Sequence, residues 1–164
     1  MFYEDILIDF AKYKVRYLLV GGMAVNLHGF DRVTGDLDVL LDMNDENIKK
    51  FVKVVKKWKL KPTVPVRIDD FGDKKKRNSW IKDKNMKAFG LVNPARSYER
   101  VDVIIESPID FEKAYKKNKK MPLENVEVTV CSIPDLIKMK KYANRRVDQL
   151  DIDALKEIQR SKNE

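Results

Sequence analysis

Apolar and polar positions along this chain recur with two periods, one helical and one of strands. Over residues 2–13, Ile6, Phe10 and Tyr13 are spaced for one face of a helix, which leads into a strand at 15–20. The apolar run Tyr17-Leu18-Leu19-Val20 ends at the pair Gly21-Gly22. Residues 23–28 then read as a short helix closed by Gly29. A polar loop leads to 36–41, where Asp36 and Asp38 alternate with Leu37, Val39 and Leu41. In a strand, residues i and i+2 share a face, so the two acids point together and the three apolar residues point into a core.

Asn44 is a good N-cap, with Asp45 and Glu46 in the first turn that follows. Ile48, Phe51, Val52, Val55 and Trp58 form the apolar stripe of that helix, and lysines crowd its solvated face. Pro62 breaks the pattern. Residues 64–68 predict a short edge strand, because Pro65 cannot donate to a central ladder. Residues 70–84 predict a helix held down by Trp80 and Ile81, with the run Lys74-Lys75-Lys76-Arg77 on an exposed face. The stretches 86–92 and 100–106 are strand-like and flank a turn-rich segment at 93–97, which predicts a hairpin. In the second of these strands Asp102, Ile104 and Glu106 share one face, and Val101, Val103 and Ile105 the other. A short helix at 110–117 and a strand at 125–130 follow. Ser132 with Asp135 three residues on marks another helix start, carrying Leu136, Ile137, Met139 and Tyr142. A last helix runs from 148 through Ile152, Leu155 and Ile158. With no internal repeat and no low-complexity linker, the expectation is one domain over 1–164. Its class is α/β (α+β), a small mixed sheet flanked by helices, with the C-terminal helices 133–160 packed on it.

Composition adds three constraints. The 164 residues are 43% hydrophobic, enough for a real core, and 37% charged, well above the usual quarter. Lys and Arg number 34 against 26 Asp and Glu, a net charge of +8, which favours polyanionic partners such as nucleotides or RNA. A lysine-coated solvated surface is the plainer reading of the same charge. Cys131 is the single cysteine, so no disulfide forms within the chain and a reducing compartment is expected. No apolar run approaches the ~20 residues that span a bilayer, and the acidic residues close behind Met1 do not resemble a secretory signal. The expected location is the cytoplasm, with no membrane partner.

Two aspartates side by side at a sheet rim repel each other at neutral pH, and a divalent cation relieves that repulsion. Asp102 offers a third carboxylate from a second strand. Carboxylate oxygens are hard ligands suited to Mg²⁺, which is usually held by few carboxylates together with substrate phosphates. The helix start after Gly21-Gly22 presents unpaired backbone N–H groups to an anion, and glycine allows close approach. Phosphoryl or nucleotidyl transfer is the chemistry that uses acids, cation and anion cradle together.

The series Gly21-Gly22, thirteen residues, Asp36-Leu37-Asp38, then a lone acid in a later strand, resembles the DNA polymerase beta-type nucleotidyltransferase superfamily. The longer run GGMAVNLHGFDRVTGDLDVLL is similar to the small prokaryotic nucleotidyltransferases, including the toxin half of abortive-infection toxin–antitoxin pairs. SIPDLIKMKKYANRRVDQLDIDAL is similar to the helix pair that ends those domains. The resemblance implies a nucleotidyltransferase fold and transfer of a nucleoside monophosphate from an NTP to an acceptor hydroxyl, releasing pyrophosphate. RNA 3′ ends, proteins and small molecules are all acceptors it allows. It implies two Mg²⁺ ions, or Mn²⁺, on Asp36, Asp38 and Asp102, with Asp102 serving the acceptor hydroxyl as general base directly or through water. Gly21 and Gly22 would lie under the triphosphate, with Arg32, Thr34, Lys140 and Arg145 reaching the nucleotide. Asp148 and Asp151 match later acids of the family, although a helix cap and first-turn charge explain them equally. One departure stands out: where many relatives carry a phosphate-binding serine, this chain has Gly22. A catalytically silent nucleotide- or RNA-binding module, or an antitoxin-binding partner protein, is the alternative use of the same fold.

Overall fold

The computed structural model describes residues 2–163. Its backbone is one twisted mixed sheet of seven strands in the order β3-β4-β5-β2-β1-β7-β6. The strands are β1 (Tyr17–Val20), β2 (Leu37–Leu41), β3 (Lys61–Pro62), β4 (Ala88–Asn93), β5 (Arg96–Ile104), β6 (Lys119–Leu123) and β7 (Val126–Val130). Between and around them run α1 (Phe2–Lys12), α2 (Gly21–His28), α3 (Asp45–Lys57), α4 (Lys74–Lys84), α5 (Phe111–Lys116), α6 (Ile133–Ala143) and α7 (Arg146–Asn163). Among the described residues no helix is long and apolar enough to cross a membrane.

The register at the sheet centre positions the site. β1 and β2 are antiparallel, with Val20 opposite Asp38. β2 and β5 are parallel, with Asp38 opposite Asp102 and Val39 opposite Val103. The two acids therefore share one face, while Leu37, Val39, Val101 and Val103 are fully buried on the other. That second face packs under α1, α3 and α4 through a chain of rings: Phe10, Phe51, Phe71 and Phe89 meet in turn at centroid separations of 5.0–5.9 Å. Trp80 stacks on Phe89 at 5.2 Å, the anchor expected for α4. Buried rings of this size dominate core energetics.

Asn44 caps α3 by accepting from the Asn47 N–H, and Ser132 caps α6 by accepting from the Asp135 N–H, as the sequence predicts. The hairpin also forms, although β4 and β5 pair out to Asn93 and Arg96 and leave only residues 94 and 95 for the turn.

Three expectations are corrected, and one strand is added. The edge strand is Lys61–Pro62, paired with Val92 and Leu91, and residues 64–68 do not join the sheet. The chain turns there instead, through a Val66 N–H to Val64 carbonyl bond of 2.8 Å, since Pro65 has no N–H to extend the ladder. The helix expected over 70–84 is two pieces, a 3-10 turn at Ile68–Gly72 and α4, because Asp73 caps the second by accepting from the Lys75 and Lys76 N–H groups. The basic run is not wholly exposed: Arg77 is buried and donates to the Phe71 carbonyl at 2.6 Å. Finally, β6 was not anticipated. It pairs with β7 alone, and Pro122 within it is tolerated because that strand is an edge.

Candidate active site

Helix α2 begins at Gly21 itself, so the glycine pair forms the first turn of the helix and does more than end the strand. Gly21 holds φ +67°, a left-handed conformation that glycine adopts without cost. No side chain caps this end, which leaves its first N–H groups open to an anion. Gly29 closes the helix at φ +120°, donating to the Asn26 carbonyl.

A cleft of about 520 Å³ opens where α2, β2, β5 and the C-terminal helices meet, a size suited to one small ligand. Gly21, Gly22, Arg32, Thr34, Asp36, Asp38, Asp102, Lys140 and Arg145 all line it. These nine residues thus arrive at one place, although residues 22 and 145 are far apart in the chain.

The acids differ in environment. Asp36 precedes β2 and is exposed, Asp38 is half-buried, and Asp102 is buried. Burial first, then the charges of Asp102 and Asp36, push the Asp38 carboxyl up to about 6. Asp102 is held by Arg100, whose Nε and Nη2 donate to it at 3.1–3.2 Å. Gly90 makes room for that pair, since a Cβ there would come within 3.0 Å of Arg100 Nη2 and 3.1 Å of Asp102 Oδ1.

Among the described residues no three acid, histidine or cysteine side chains converge closely enough to hold a metal as they stand. The oxygens of Asp102 are committed to Arg100. The chemistry of the set still suits a hard divalent cation, since three carboxylates line the cleft and Asp38 is repelled by its neighbours. A cation would relieve that repulsion once Asp102 exchanged its arginine for it.

Opposite the acids lies a chain of charges. Arg32 Nη1 donates to Asp151 Oδ2 at 2.5 Å, and Lys140 Nζ lies 2.8 Å from Asp151 and 3.3 Å from Asp148. Arg145 forks onto Asp148 through Nε at 2.9 Å and Nη2 at 3.1 Å. Both aspartates are almost wholly buried. Burial pushes Asp148 up, but hydrogen bonds from Arg145 and the charge of Lys140 outweigh it and hold the carboxyl below its ordinary range. Three cations on two carboxylates leave net positive charge beside the acids. Asp148 and Asp151 read from sequence equally as later acids of the resembled family or as cap and first-turn charge, and in the structure they bind together all three basic residues expected from sequence.

One further role, that of Asn26, had no signal in the sequence, and Thr34, a residue the resemblance implies near the phosphates, sits beside the glycine turn. Asn26 clamps the loop before β2, donating to the Arg32 carbonyl at 2.9 Å and accepting from the Arg32 N–H at 3.1 Å. Thr34 fills the place beside Gly22, where a Cβ would meet Thr34 Oγ1 at 2.7 Å and Arg32 Cζ at 3.3 Å. The hydroxyl absent at residue 22 is thus present beside it, supplied from across the loop. His28 is a packing residue: it is buried with Nε2 2.8 Å from the Cys131 carbonyl, and burial lowers its pKa.

No protein-family model and no curated protein sequence matches this chain. Solved structures do. The lincosamide antibiotic adenylyltransferase LnuA, in its lincomycin-bound structure, superposes with a TM-score of 0.62 at 18% identity over 96% of each chain. The enzyme ANT(2″)-Ia, in complex with adenylyl-2″-tobramycin, gives 0.61 at 13% identity over 93% of this chain and 84% of its own. The chain has the nucleotidyltransferase fold. At these identities the likeness speaks for architecture alone.

Proposed function

We propose that this protein is a nucleotidyltransferase that moves a nucleoside monophosphate from an NTP to an acceptor hydroxyl. The observation that carries this reading is the cleft in which an uncapped helix start, a row of cations and three carboxylates face one another. A triphosphate would lie across the N–H groups of Gly21 and Gly22, with its outer phosphates toward Arg32, Lys140 and Arg145. The Thr34 hydroxyl would donate where relatives use serine. A divalent cation on Asp36, Asp38 and Asp102, Mg²⁺ or Mn²⁺, would supply charge neutralisation at the reacting phosphate.

In the transfer, the acceptor oxygen bonds to the α-phosphorus and the bond from that phosphorus to the bridging oxygen breaks. The acceptor proton passes to Asp102, directly or through water. The departing pyrophosphate carries its charge toward the cationic row, which is already fixed by Asp148 and Asp151 and so needs no reorganisation.

LnuA and ANT(2″)-Ia are seen with lincomycin and with adenylyl-tobramycin. That favours a small-molecule acceptor over an RNA 3′ end or a protein, and adenylyl as the group moved. One observation favours a second reading, a silent nucleotide-binding module: Arg100 already neutralises Asp102. Incubating the chain with each α-labelled NTP, Mg²⁺ or Mn²⁺, and a panel of antibiotics, bulk RNA and protein extract decides between them. Label transfer that Asp38→Asn abolishes supports the enzyme. NTP binding with no transfer under either metal supports the silent module.

A further inference from the structure

The cleft has an end that neither the phosphates nor the acids occupy. Beyond Asp102 on the same face of β5 stands Ile104, and across the ladder from it Ala88 of β4. Met139 and Tyr142 of α6 line the same space. Tyr142 is 48% exposed, a large ring partly open to solvent where it lines the cleft. At the edge of this apolar slot Lys87 Nζ donates to Glu106 Oε2 at 2.5 Å. The same ammonium lies 5.6 Å from the Tyr142 ring centroid, and Lys87 first and then Tyr142 lower the pKa of the Glu106 carboxyl.

We propose that this end is a nucleobase subsite, in which the base of the NTP stacks on Tyr142 and turns its polar edge to Lys87 and Glu106. The proposal rests on the nucleotidyltransferase reading for the triphosphate end. One ligand must satisfy cations, carboxylates and a flat apolar slot within a single cleft of about 520 Å³, and a nucleoside triphosphate has those three parts joined in that order. An acceptor has a separate approach. Arg100 and the 71% exposed Tyr98 lie on the other side of Asp102 along β5 and do not line the cleft. Glu106 can only accept and Lys87 can only donate when ionised, so together they match a base edge that pairs an N–H with an acceptor. Stacking supplies affinity whatever the base, and the charged pair ranks the bases.

Calorimetric titration of the full chain with α,β-methylene analogues of the four NTPs, and separately with inorganic tripolyphosphate, tests this in Mg²⁺. The analogues are expected to bind more tightly than tripolyphosphate. Tyr142→Ala should weaken the analogues on the order of tenfold and leave tripolyphosphate unchanged, while Tyr142→Phe keeps the stacking. Glu106→Gln should reorder the four analogues. If Tyr142→Ala binds the analogues as tightly as the parent chain, the subsite is overturned and the triphosphate site stands. If neither analogue nor tripolyphosphate binds the parent chain, the nucleotide reading falls and takes the subsite with it.

Discussion

The Asp38 carboxylate lies against the Cα of Gly21: a Cβ at residue 21 would come within 2.1 Å of Asp38 Oδ2. The glycine that opens the helix and the acid from the neighbouring strand are thus one fitted unit. Gly21→Ala is expected to act twice. The left-handed φ of +67° costs a residue with a Cβ roughly 1–2 kcal/mol, and relief of the collision displaces Asp38 from the cleft. Urea denaturation should show that loss of stability, and NTP turnover should fall by far more than stability does.

Asp38 also sets a pH dependence. Its carboxyl titrates near 3.8 when free and near 6 in the fold, so the folded state binds the proton first as pH falls. Above pH 6 the group is ionised in both states and the native state carries the full repulsion. Between about pH 6 and pH 4 stability rises as the proton is taken up, by at most roughly 3 kcal/mol. Metal-free Asp38→Asn should therefore be more stable than the parent chain at pH 7 and lose most of that advantage by pH 4.5. Paired urea titrations at the two pH values measure the difference.

The cationic row separates structural from binding residues. Asp151 is 1% exposed and holds Arg32 and the buried Lys140. Asp151→Ala should destabilise the fold by about 3 kcal/mol, because removing one partner strands buried charge. Arg145 has a side chain 67% exposed, so Arg145→Ala should cost less than about 1 kcal/mol while raising the KM for NTP. Denaturation curves and KM measured on both variants test the contrast.

Arg100 competes with a cation for Asp102. Arg100→Ala should leave that carboxylate free and tighten Mn²⁺ binding, read directly by the loss of the free-ion electron paramagnetic resonance signal. Unchanged Mn²⁺ affinity would mean that Asp102 takes no part in binding the cation.

Much of this was legible because period and punctuation are local. The alternation at Asp36–Asp38 and around Asp102 placed three acids on the correct faces, and the strand pairing of Asp38 with Asp102 completed what one strand could not show. Asn44 and Ser132 announced their helices by cap chemistry alone. What escaped depended on distant partners. Asp148 and Asp151 read equally as later acids of the family or as cap and first-turn charge until Arg32 arrives from 119 residues away. The clamp of Asn26 on both the carbonyl and the N–H of Arg32 shows only once the loop has folded back. β6, with its lysines and Pro122, has no apolar alternation of its own and exists because β7 offers it an edge.

The most direct test of nucleotidyl transfer is pyrophosphate release from each NTP in the presence of Mg²⁺ or Mn²⁺ and an acceptor panel, with Asp38→Asn run in parallel. The expected result is release by the parent chain that matches label appearing on an acceptor, absent from the folded variant. Equal release by both proteins, or none from the parent chain under either metal although NTP binds, would contradict it.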